Sequence, residues 1–319
     1  MWGSLVRGPL MTAEALVAKD VRKAYHSRGA PVVQALSGVS LNARTGERIC
    51  LLGRNGAGKT TFLRIASTLL VPTSGSLEVF GTDMVASPEQ VRALIAVVPQ
   101  EGKPFFHLTP REQVYTYLRA RGFRRETARS RTQEAIGLMG LEEVADRLNV
   151  TLSGGQRQRT MVATVIATQA PLLFLDEPTI GMDPFARRAV WESLRLLTRR
   201  GSTILLTTHY LDEAEVLSDR VYIIEKGRVL AEGSAEALKR ESGGSLRVSL
   251  PGGGPLLEQL RTFGPVLSEG NVVHVVTQPE RVTELLALAV QRQLTATVGP
   301  VTLEEAFLRT VGRSIDEDS

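Results

Sequence analysis

The chain has 319 residues, 43% of them hydrophobic, which suits one large domain with a smaller one beside it. Its formal net charge is only +4 and its basic residues are scattered, which argues against a nucleic-acid-binding surface. No run approaches the roughly 18 apolar residues of a membrane-spanning helix, so we expect a soluble protein whose membrane role is at most peripheral.

The start of the chain indicates a cytoplasmic protein. Residues 1–10 lack the apolar core of a secretory signal, and Met11 offers an alternative start, so we expect an N-terminal extension over residues 1–14. Cys50 is the single cysteine, which excludes an internal disulfide and suits a reducing compartment.

A phosphate-binding loop is predicted after the apolar stretch 48–52, which is typical of a buried strand. Residues 53–60 fit the pattern G-x-x-x-x-G-K-[ST], and an apolar-periodic helix continues to Leu70. In this motif backbone N–H groups surround the phosphates, the lysine reaches the β- and γ-phosphates and the hydroxyl binds Mg²⁺. The predicted phosphate-binding residues are Gly53, Arg54, Asn55, Gly56, Ala57, Gly58, Lys59, Thr60 and Thr61.

An acidic pair follows a second apolar run, residues 172–175. A strand that ends beside the phosphate-binding loop would allow Asp176 to orient Mg²⁺ and Glu177 to act as the general base on water. Such a pair could also be a cap or an ion pair, but the preceding loop favours the catalytic interpretation. The two motifs together predict an ATPase that uses ATP and Mg²⁺.

A third motif carries a resemblance to a known family. Residues 152–156 read Leu-Ser-Gly-Gly-Gln, so the chain resembles the ATP-binding subunits of ABC transporters over residues 15–240. The resemblance implies the α/β P-loop NTPase fold of ABC ATPases, with a helical subdomain over about residues 101–160 that carries this signature. The implied nucleotide contacts of the signature are Ser153, Gly154, Gly155 and Gln156.

Four further residues match lesser motifs of the family, in the family's order. Tyr25 resembles the aromatic residue that stacks on adenine, and Gln100 the glutamine that senses the metal and the γ-phosphate. Asp183 resembles the acidic residue of the loop that couples the two sites of a dimer, and His209 the switch histidine that contacts the γ-phosphate. Tyr25 and Gln100 also have structural interpretations, as a core aromatic and a turn residue.

Two positions depart from the common family sequence. Thr164 stands where many members carry arginine, and Met182 where leucine is common. We expect packing variants that leave the phosphate chemistry unchanged, because a leucine-to-methionine change conserves volume.

Capping signals delimit the helices of the predicted helical subdomain. A capping box with Thr109 and Glu112 predicts a helix to about Arg121, and a second helix is expected over residues 127–139. The preceding loop contains Phe105 and Phe106, which either fill a local core or form the groove that meets a membrane partner.

The last quarter of the chain predicts a small α/β domain over residues 245–313, followed by a tail, 314–319. A hairpin at residues 219–233 and a short helix capped by Ser234 precede it. Within it, strands are expected at 246–250, 272–276 and 294–298, with a short helix after a turn at 251–255 and a longer one at 279–291. A final helix, 302–313, capped through Thr302 and Glu305, resembles the ending of daunorubicin-resistance-type exporter ATPases, which implies multidrug export.

The resemblance also implies partners. In the family, ATP lies between the phosphate-binding loop of one subunit and the signature of another, so we expect a homodimer, or a heterodimer with another ABC ATPase. A separate transmembrane permease would then hold the protein at the cytoplasmic face of the cell membrane. The alternatives are an importer ATPase, disfavoured by the ending, and a soluble ABC ATPase acting on ribosomes or DNA. Ribosomal members usually carry two cassettes and DNA-repair members long coiled coils, and the sequence has neither.

Overall fold

The structure, a computed structural model, describes residues 13–26, 31–100, 102–241 and 243–317, with 313–317 described by their backbone alone. Most of the predicted N-terminal extension and the end of the predicted tail therefore lie outside the described residues. The chain divides into two compact units, residues 1–229 and 230–319. The expected domains, 15–240 and 245–313, place this division slightly later in the sequence.

Two sheets form the framework that carries the predicted motifs. Their strands are β1 (Glu14–Tyr25), β2 (Val33–Arg44), β3 (Arg48–Leu52), β4 (Ser74–Val79), β5 (Thr82–Asp83), β6 (Ile95–Val98), β7 (Leu172–Asp176), β8 (Thr203–Thr208), β9 (Arg220–Glu225) and β10 (Arg228–Gly233). The first sheet is antiparallel with the order β2-β1-β4-β5, and the second has the order β10-β9-β3-β8-β7-β6. In the second sheet, β6, β7, β8, β3 and β9 pair in parallel.

Seven helices accompany these strands within the described part of residues 13–229. They are α1 (Lys59–Ala66), α2 (Pro88–Leu94), α3 (Pro110–Ala120), α4 (Arg125–Leu138), α5 (Gly154–Ile166), α6 (Pro184–Arg199) and α7 (Leu211–Leu217). Helix α1 contacts β2 of the first sheet and β7 and β8 of the second, so one hydrophobic core joins both sheets. Every residue of β7 is buried, as expected for a central parallel strand.

The parallel sheet brings three distant motifs to one edge. Strands β3, β7 and β8 are neighbours and run in the same direction, so their carboxyl ends lie side by side. Those ends lead into the loop at Gly53, the pair Asp176–Glu177 and His209. The edge outside the carboxyl ends of parallel strands is where α/β sheets bind ligands.

Helices α3, α4 and α5 pack against one another, in the region of the predicted helical subdomain. The capping box that predicted α3 is confirmed: the Thr109 hydroxyl accepts from the Glu112 N–H at 3.1 Å, and the Glu112 carboxylate accepts from the Thr109 N–H at 2.9 Å. The predicted hairpin near residue 226 is also confirmed. Lys226 and Gly227 both have positive φ, 47° and 73°, as the tight turn of a hairpin requires.

The second unit contains a β-α-β-β-α-β arrangement. Its elements are α8 (Ala235–Glu241), β11 (Leu246–Pro251), α9 (Leu257–Leu260), β12 (Val266–Glu269), β13 (Val272–Thr277), α10 (Pro279–Gln291), β14 (Thr297–Pro300) and α11 (Leu303–Glu317). The four strands form an antiparallel sheet in the order β12-β13-β11-β14 around a hydrophobic core of its own. The small α/β architecture is as predicted.

Three details of this unit differ from the expectation. Strand β12 was not predicted, because two apolar residues followed by two polar ones give neither an alternating nor a continuous apolar run. The strand expected at 294–298 begins later, at Thr297. The final helix extends beyond residue 313, and its N-terminus has the expected contact, in which the Thr302 N–H donates to Glu305 at 2.7 Å.

Candidate nucleotide-binding site

The loop between β3 and α1 needs its glycines for close packing. A Cβ on Gly53 would lie 2.4 Å from the Ile224 carbonyl oxygen, and one on Gly58 would lie 2.7 Å from the Ala35 carbonyl oxygen. Gly58 also has a φ of +107°, a conformation that glycine adopts at little cost. The loop therefore turns sharply into the N-terminus of α1, where free backbone N–H groups favour a phosphate.

The side chain of Lys59 lies on the buried side of this loop. Its side chain is buried, and Nζ donates to the carbonyl oxygens of Gly53 at 2.8 Å and Arg54 at 3.1 Å. Burial lowers the pKa of Lys59, while the nearby carboxylates of Glu177 and Asp176 oppose that shift. The ammonium group is thus held by backbone oxygens and acidic neighbours, next to the position where phosphates bind in such loops.

Three oxygen-bearing side chains meet at the start of α1. The Thr60 hydroxyl lies 3.1 Å from Gln100 Oε1 and 3.3 Å from Asp176 Oδ1. Asp176 is buried at the end of β7 and also accepts from the Thr207 hydroxyl. Burial raises the pKa of Asp176, hydrogen bonds from Thr207 and Thr60 oppose the rise, and the Glu177 carboxylate adds to it. This hydroxyl, amide and carboxylate set suits a hard cation such as Mg²⁺.

Glu177 has a strained backbone and a histidine partner. Its φ is +49°, in the left-handed region that non-glycine residues seldom occupy. The Glu177 N–H donates to the Thr207 carbonyl oxygen at 3.1 Å and lies 3.2 Å from the Thr207 hydroxyl, and these contacts hold the unusual conformation. The buried Oε1 lies 3.2 Å from Nδ1 of His209, whose side chain is 37% exposed.

These groups line one pocket. Its volume is about 370 Å³. Its lining residues are Ala35, Asn55, Gly56, Gly58, Lys59, Thr60, Thr61, Gln100, Glu177, Ile180 and His209. All but Ala35 and Ile180 were predicted from the sequence. Tyr25, at the end of β1, is 37% exposed with the Lys23 ammonium 5.5 Å from its ring centre, and it is not among these lining residues.

The signature segment lies outside this pocket, at the N-terminus of α5. The Ser153 hydroxyl accepts from the Gln156 N–H at 3.2 Å and the Gln156 side chain accepts from the Ser153 N–H at 2.9 Å, a complete capping box. Ser153 and Gly154 are exposed, and a Cβ on Gly154 would meet no atom within 4 Å. The segment therefore presents an open helix N-terminus.

The predicted coupling residue lies close to this signature. Asp183 caps α6, accepting from the N–H groups of Phe185 at 2.9 Å and Ala186 at 3.0 Å. The hydrogen bond from Ala186 lowers the pKa of this exposed carboxyl group. A Cβ on Gly155 would lie 3.4 Å from the Gly181 carbonyl oxygen, so the signature and the loop before Asp183 are adjacent.

The two departures from the common family sequence are buried. Thr164 accepts from Gln113 Nε2 at 3.1 Å and donates to the Thr160 carbonyl oxygen at 2.7 Å. Met182 is 6% exposed. Neither residue lines the pocket, in agreement with packing roles.

Comparisons with known proteins follow the same motifs. The family model for ABC transporters matches residues 36–180. The daunorubicin/doxorubicin resistance ATP-binding protein of Streptomyces peucetius is 37% identical over 90% of this chain and 90% of its own length. Nod factor export ATP-binding protein I of Rhizobium sp. (strain N33) is 37% identical over 94% of this chain and 99% of its own length.

The chain belongs to the ABC transporter ATP-binding family. It is an ATPase, and the predicted resemblance is confirmed. A solved ATP-binding subunit of an ABC transporter matches 71% of this chain and 92% of its own length, with 29% identity and a TM-score of 0.64. A dimeric, post-hydrolysis ATP-binding cassette bound to ADP and Pi matches 69% of this chain and 98% of its own, with 28% identity and a TM-score of 0.64. Among the described residues of this ABC ATPase, no helix is both long and apolar enough to cross a bilayer.

Sequence reasoning missed several residues of the site. Thr207 holds both acidic residues, and its signal was a hydroxyl side chain directly after the apolar residues 204–206, near the carboxyl end of a buried strand. Ala35 and Ile180 line the pocket without any signal in their residue types.

Proposed function

We propose that this protein hydrolyses ATP as one of two copies in a dimer and drives export through a separate membrane permease. One observation carries the proposal. The phosphate-binding loop and the Glu177–His209 pair share a pocket, while the signature of the same chain is exposed outside it. A second copy would supply its signature to this pocket, and a dimeric cassette among the similar solved structures supports such an assembly.

In the proposed site, residues around the start of α1 hold the nucleotide. Lys59 and the N-terminus of α1 bind the phosphates, and Tyr25 stacks on adenine. Thr60, Gln100 and Asp176 would hold Mg²⁺, whose chemistry is to neutralise the charge that develops on the phosphate oxygens. The mutual approach of their oxygens, 3.1 and 3.3 Å from the Thr60 hydroxyl, supports this assignment.

The Glu177–His209 pair performs the proton chemistry in this proposal. Glu177 accepts a proton from the water that attacks the γ-phosphate, and His209 contacts the γ-phosphate from the same pocket. The 3.2 Å contact between Nδ1 and Oε1 fixes the two side chains relative to each other before ATP arrives. The left-handed backbone of Glu177 aims its side chain into the pocket at a conformational cost that the Thr207 hydrogen bonds offset.

The signature acts on the nucleotide of the opposite copy. Ser153, Gly154, Gly155 and Gln156 provide a hydroxyl, backbone N–H groups and a helix N-terminus, all suited to binding a phosphate. Asp183 lies at the start of α6, beside the same surface, and couples the two sites. ATP would then hold the two copies together, and hydrolysis would release them.

Export is favoured over the other ABC functions by the relatives' names. One relative is named for daunorubicin/doxorubicin resistance and the other for Nod factor export, and they match 90% and 94% of this chain. A ribosome- or DNA-directed ATPase lacks this support, and so does an importer.

The permease would bind beside the signature. A groove of about 340 Å³ is lined by Gly102, Lys103, Pro104, Phe106, Val150, Gly154, Arg157 and Gln158. Phe106, which lines the groove, is 41% exposed and the preceding Phe105 is 69% exposed, so they do not fill a local core. The buried Gln113 and Asn149 hold the backbone of Phe105 in place, at 2.9 and 3.1 Å. Docking here would place the protein at the cytoplasmic face of the cell membrane.

Oligomeric state in the presence of nucleotide tests the proposal. Glu177→Gln should form a dimer with Mg-ATP, measured by sedimentation, and remain a monomer with Mg-ADP, because hydrolysis no longer separates the copies. Glu192→Gln, an exposed position on α6, is the matched control and should show no trapped dimer. A Glu177→Gln protein that binds ATP yet stays monomeric would contradict the homodimer and point to a different ABC subunit as the partner.

A further inference from the structure

Glu213 on α7 is a buried carboxyl group that the proposed mechanism does not use. It is 0% exposed, and its Oε1 accepts two hydrogen bonds, from the Thr179 hydroxyl at 2.9 Å and from the Trp191 indole N–H at 3.2 Å. The two donors belong to different segments of the chain. Thr179 follows Glu177 by two positions, and Trp191 lies on α6, whose first turn is capped by Asp183. One oxygen atom therefore joins three segments that carry site residues.

A second connection joins the same helices closer to the surface. The Arg187 guanidinium, on α6, lies 4.2 Å from the ring centre of Tyr210 and 3.7 Å from the Asp212 carboxylate. The Tyr210 ring in turn lies 4.2 Å from the His209 ring, centre to centre. Helix α7 is thus attached to α6 at two levels, and His209 directly precedes the outer attachment at Tyr210.

A carboxyl group in this position costs stability, which indicates a role beyond filling space. A buried polar group is unfavourable unless hydrogen bonds replace those of water, and an apolar side chain would pack between helices without that cost. Two donors converging on one oxygen also fix the direction of the side chain. Removing the carboxyl group would leave the Thr179 hydroxyl and the Trp191 N–H buried without this acceptor.

We propose that Glu213 is a positioning residue for ATP hydrolysis. Its hydrogen bonds fix the position of the loop that follows Glu177 relative to the segment of His209. They also connect both to α6, which Asp183 caps. A movement of the Asp183 end, when the partner copy approaches, would then reach the Glu177–His209 pair through α6 and the Glu213 carboxyl group. This inference rests on the roles of Glu177 and His209 in the proposed function.

Steady-state kinetics with three variants test the role. Glu213→Ala removes the acceptor and should lower kcat about ten- to a hundredfold, the usual cost of misplacing catalytic groups slightly. Its nucleotide Kd should change less than about twofold, because the two hydrogen bonds of Glu213 go to Thr179 and Trp191 and not to the loop at residues 53–60. Glu213→Gln keeps an acceptor oxygen and should recover most of kcat. Glu192→Gln, on the exposed face of α6, is the control that should match the wild type.

Tryptophan fluorescence gives a readout that a merely structural role would not change. The chain has two tryptophans, so Trp2→Phe leaves Trp191 as the single emitter, hydrogen-bonded to Glu213. We expect Mg-ATP to change the Trp191 emission in this background, and Glu213→Ala to abolish the change while nucleotide still binds. Trp191→Phe removes the N–H donor, together with part of the ring, while Glu213 and Thr179 stay in place, and it should also lower kcat, which keeps the test valid if Glu213→Ala folds poorly.

The outcomes separate this inference from the proposed function. If Glu177→Gln abolishes turnover but Glu213→Ala and Trp191→Phe both turn over ATP like the Glu192→Gln control, the positioning role is wrong and the catalytic assignment stands. If kcat and affinity fall together in Glu213→Ala, and Gln does not restore kcat, Glu213 is a structural residue only. If Glu177→Gln retains normal turnover, the proposed function itself fails.

Discussion

The phosphate-binding pocket and the signature segment differ in how completely the chain itself satisfies their polar groups. In the pocket, Lys59 is bonded to two carbonyl oxygens, Asp176 to two hydroxyls, and Glu177 lies against His209. At the signature, the Ser153–Gln156 capping box uses only its own residues, and the surface above it is open. The first region is organised by contacts within the fold, and the second presents an exposed helix N-terminus.

That difference has a chemical meaning for an ABC ATPase. Pre-organised charges and dipoles act on a transition state without reorganising during the reaction, so the buried pocket is where bond cleavage is best catalysed. In the proposed dimer, the exposed signature adds its helix N-terminus to the pocket of the other copy. Hydrolysis would then depend on assembly, and a change in one region should alter the behaviour of the other.

The largest effect is expected from the general base. Glu177→Gln keeps the shape of the side chain and removes its basicity, so kcat should fall about 10²–10⁴-fold while ATP still binds. Single-turnover hydrolysis with Mg-ATP measures the chemical step directly. Near-normal turnover would show that Glu177 is not the base and that its strained backbone serves packing alone.

Loss of the loop lysine should affect binding. Lys59→Ala removes the buried ammonium group that we propose binds phosphate oxygens, and a hydrogen bond to a charged group corresponds to roughly ten- to a hundredfold in affinity. Titration calorimetry of Mg-ATP binding measures this, with the exposed Lys19→Ala as a control of equal charge change. Unchanged affinity in Lys59→Ala would contradict the assignment of the phosphate site to this loop.

The buried Glu213 should make stability depend on pH. Burial raises the pKa of this carboxyl group, the hydroxyls of Thr208 and Thr179 and the Trp191 indole oppose the shift, and the Asp212 carboxylate adds to it. The buried thiol of Cys50 feels Glu213 as well, and its own pKa is raised chiefly by burial. The folded protein thus holds the Glu213 proton at pH values where the unfolded chain has lost it.

Proton linkage gives the direction in which the folding stability changes with pH. Stability should fall as pH rises from the ordinary glutamate pKa up through the raised folded value, and remain low above it. Glu213→Gln lacks this titration, so its unfolding free energy relative to wild type should increase across that window, by at most about 1.4 kcal/mol per pH unit. Urea denaturation at several pH values measures the gap. A gap that is constant with pH, as expected for Glu192→Gln, would mean that the buried carboxyl group titrates normally.

Local signals explain which parts of the fold the sequence predicted well. The loop at residues 53–60, the capping box at Thr109 and the turn at Lys226-Gly227 each depend on neighbouring residues, so their sequence patterns are sufficient. Strand β12 depends instead on pairing with β13, and its four residues carry no periodicity that would reveal it. Helix α1 ends at Ala66 where Leu70 was expected, and α4 spans Arg125–Leu138 where 127–139 was expected, because no side-chain cap marks these helix ends.

The residues of the site also divide into those that local sequence patterns predict and those that depend on tertiary contacts. Residues within motifs were predicted, but Thr207, Ile180 and Glu213 act through contacts that only the folded chain creates. Glu213 lies 34 positions after Thr179 and 22 after Trp191, and nothing in either local sequence indicates a shared oxygen atom. Tertiary contacts of buried polar groups are therefore where sequence interpretation stopped.

The smallest effect concerns the signature, and it separates the stability of the cap from its use by a partner. Ser153→Ala removes the cap of α5 and should cost about 1 kcal/mol of unfolding free energy. Thr109→Ala removes the equivalent cap of α3 and should cost a similar amount, so it is a matched control.

ATP binding to the monomer should be unchanged in both variants, because neither residue lines the pocket. Hydrolysis should fall about tenfold only in Ser153→Ala, through the lost hydroxyl contact to the phosphate of the opposite copy. Equal hydrolysis in the two variants would mean that the signature hydroxyl serves its own helix alone.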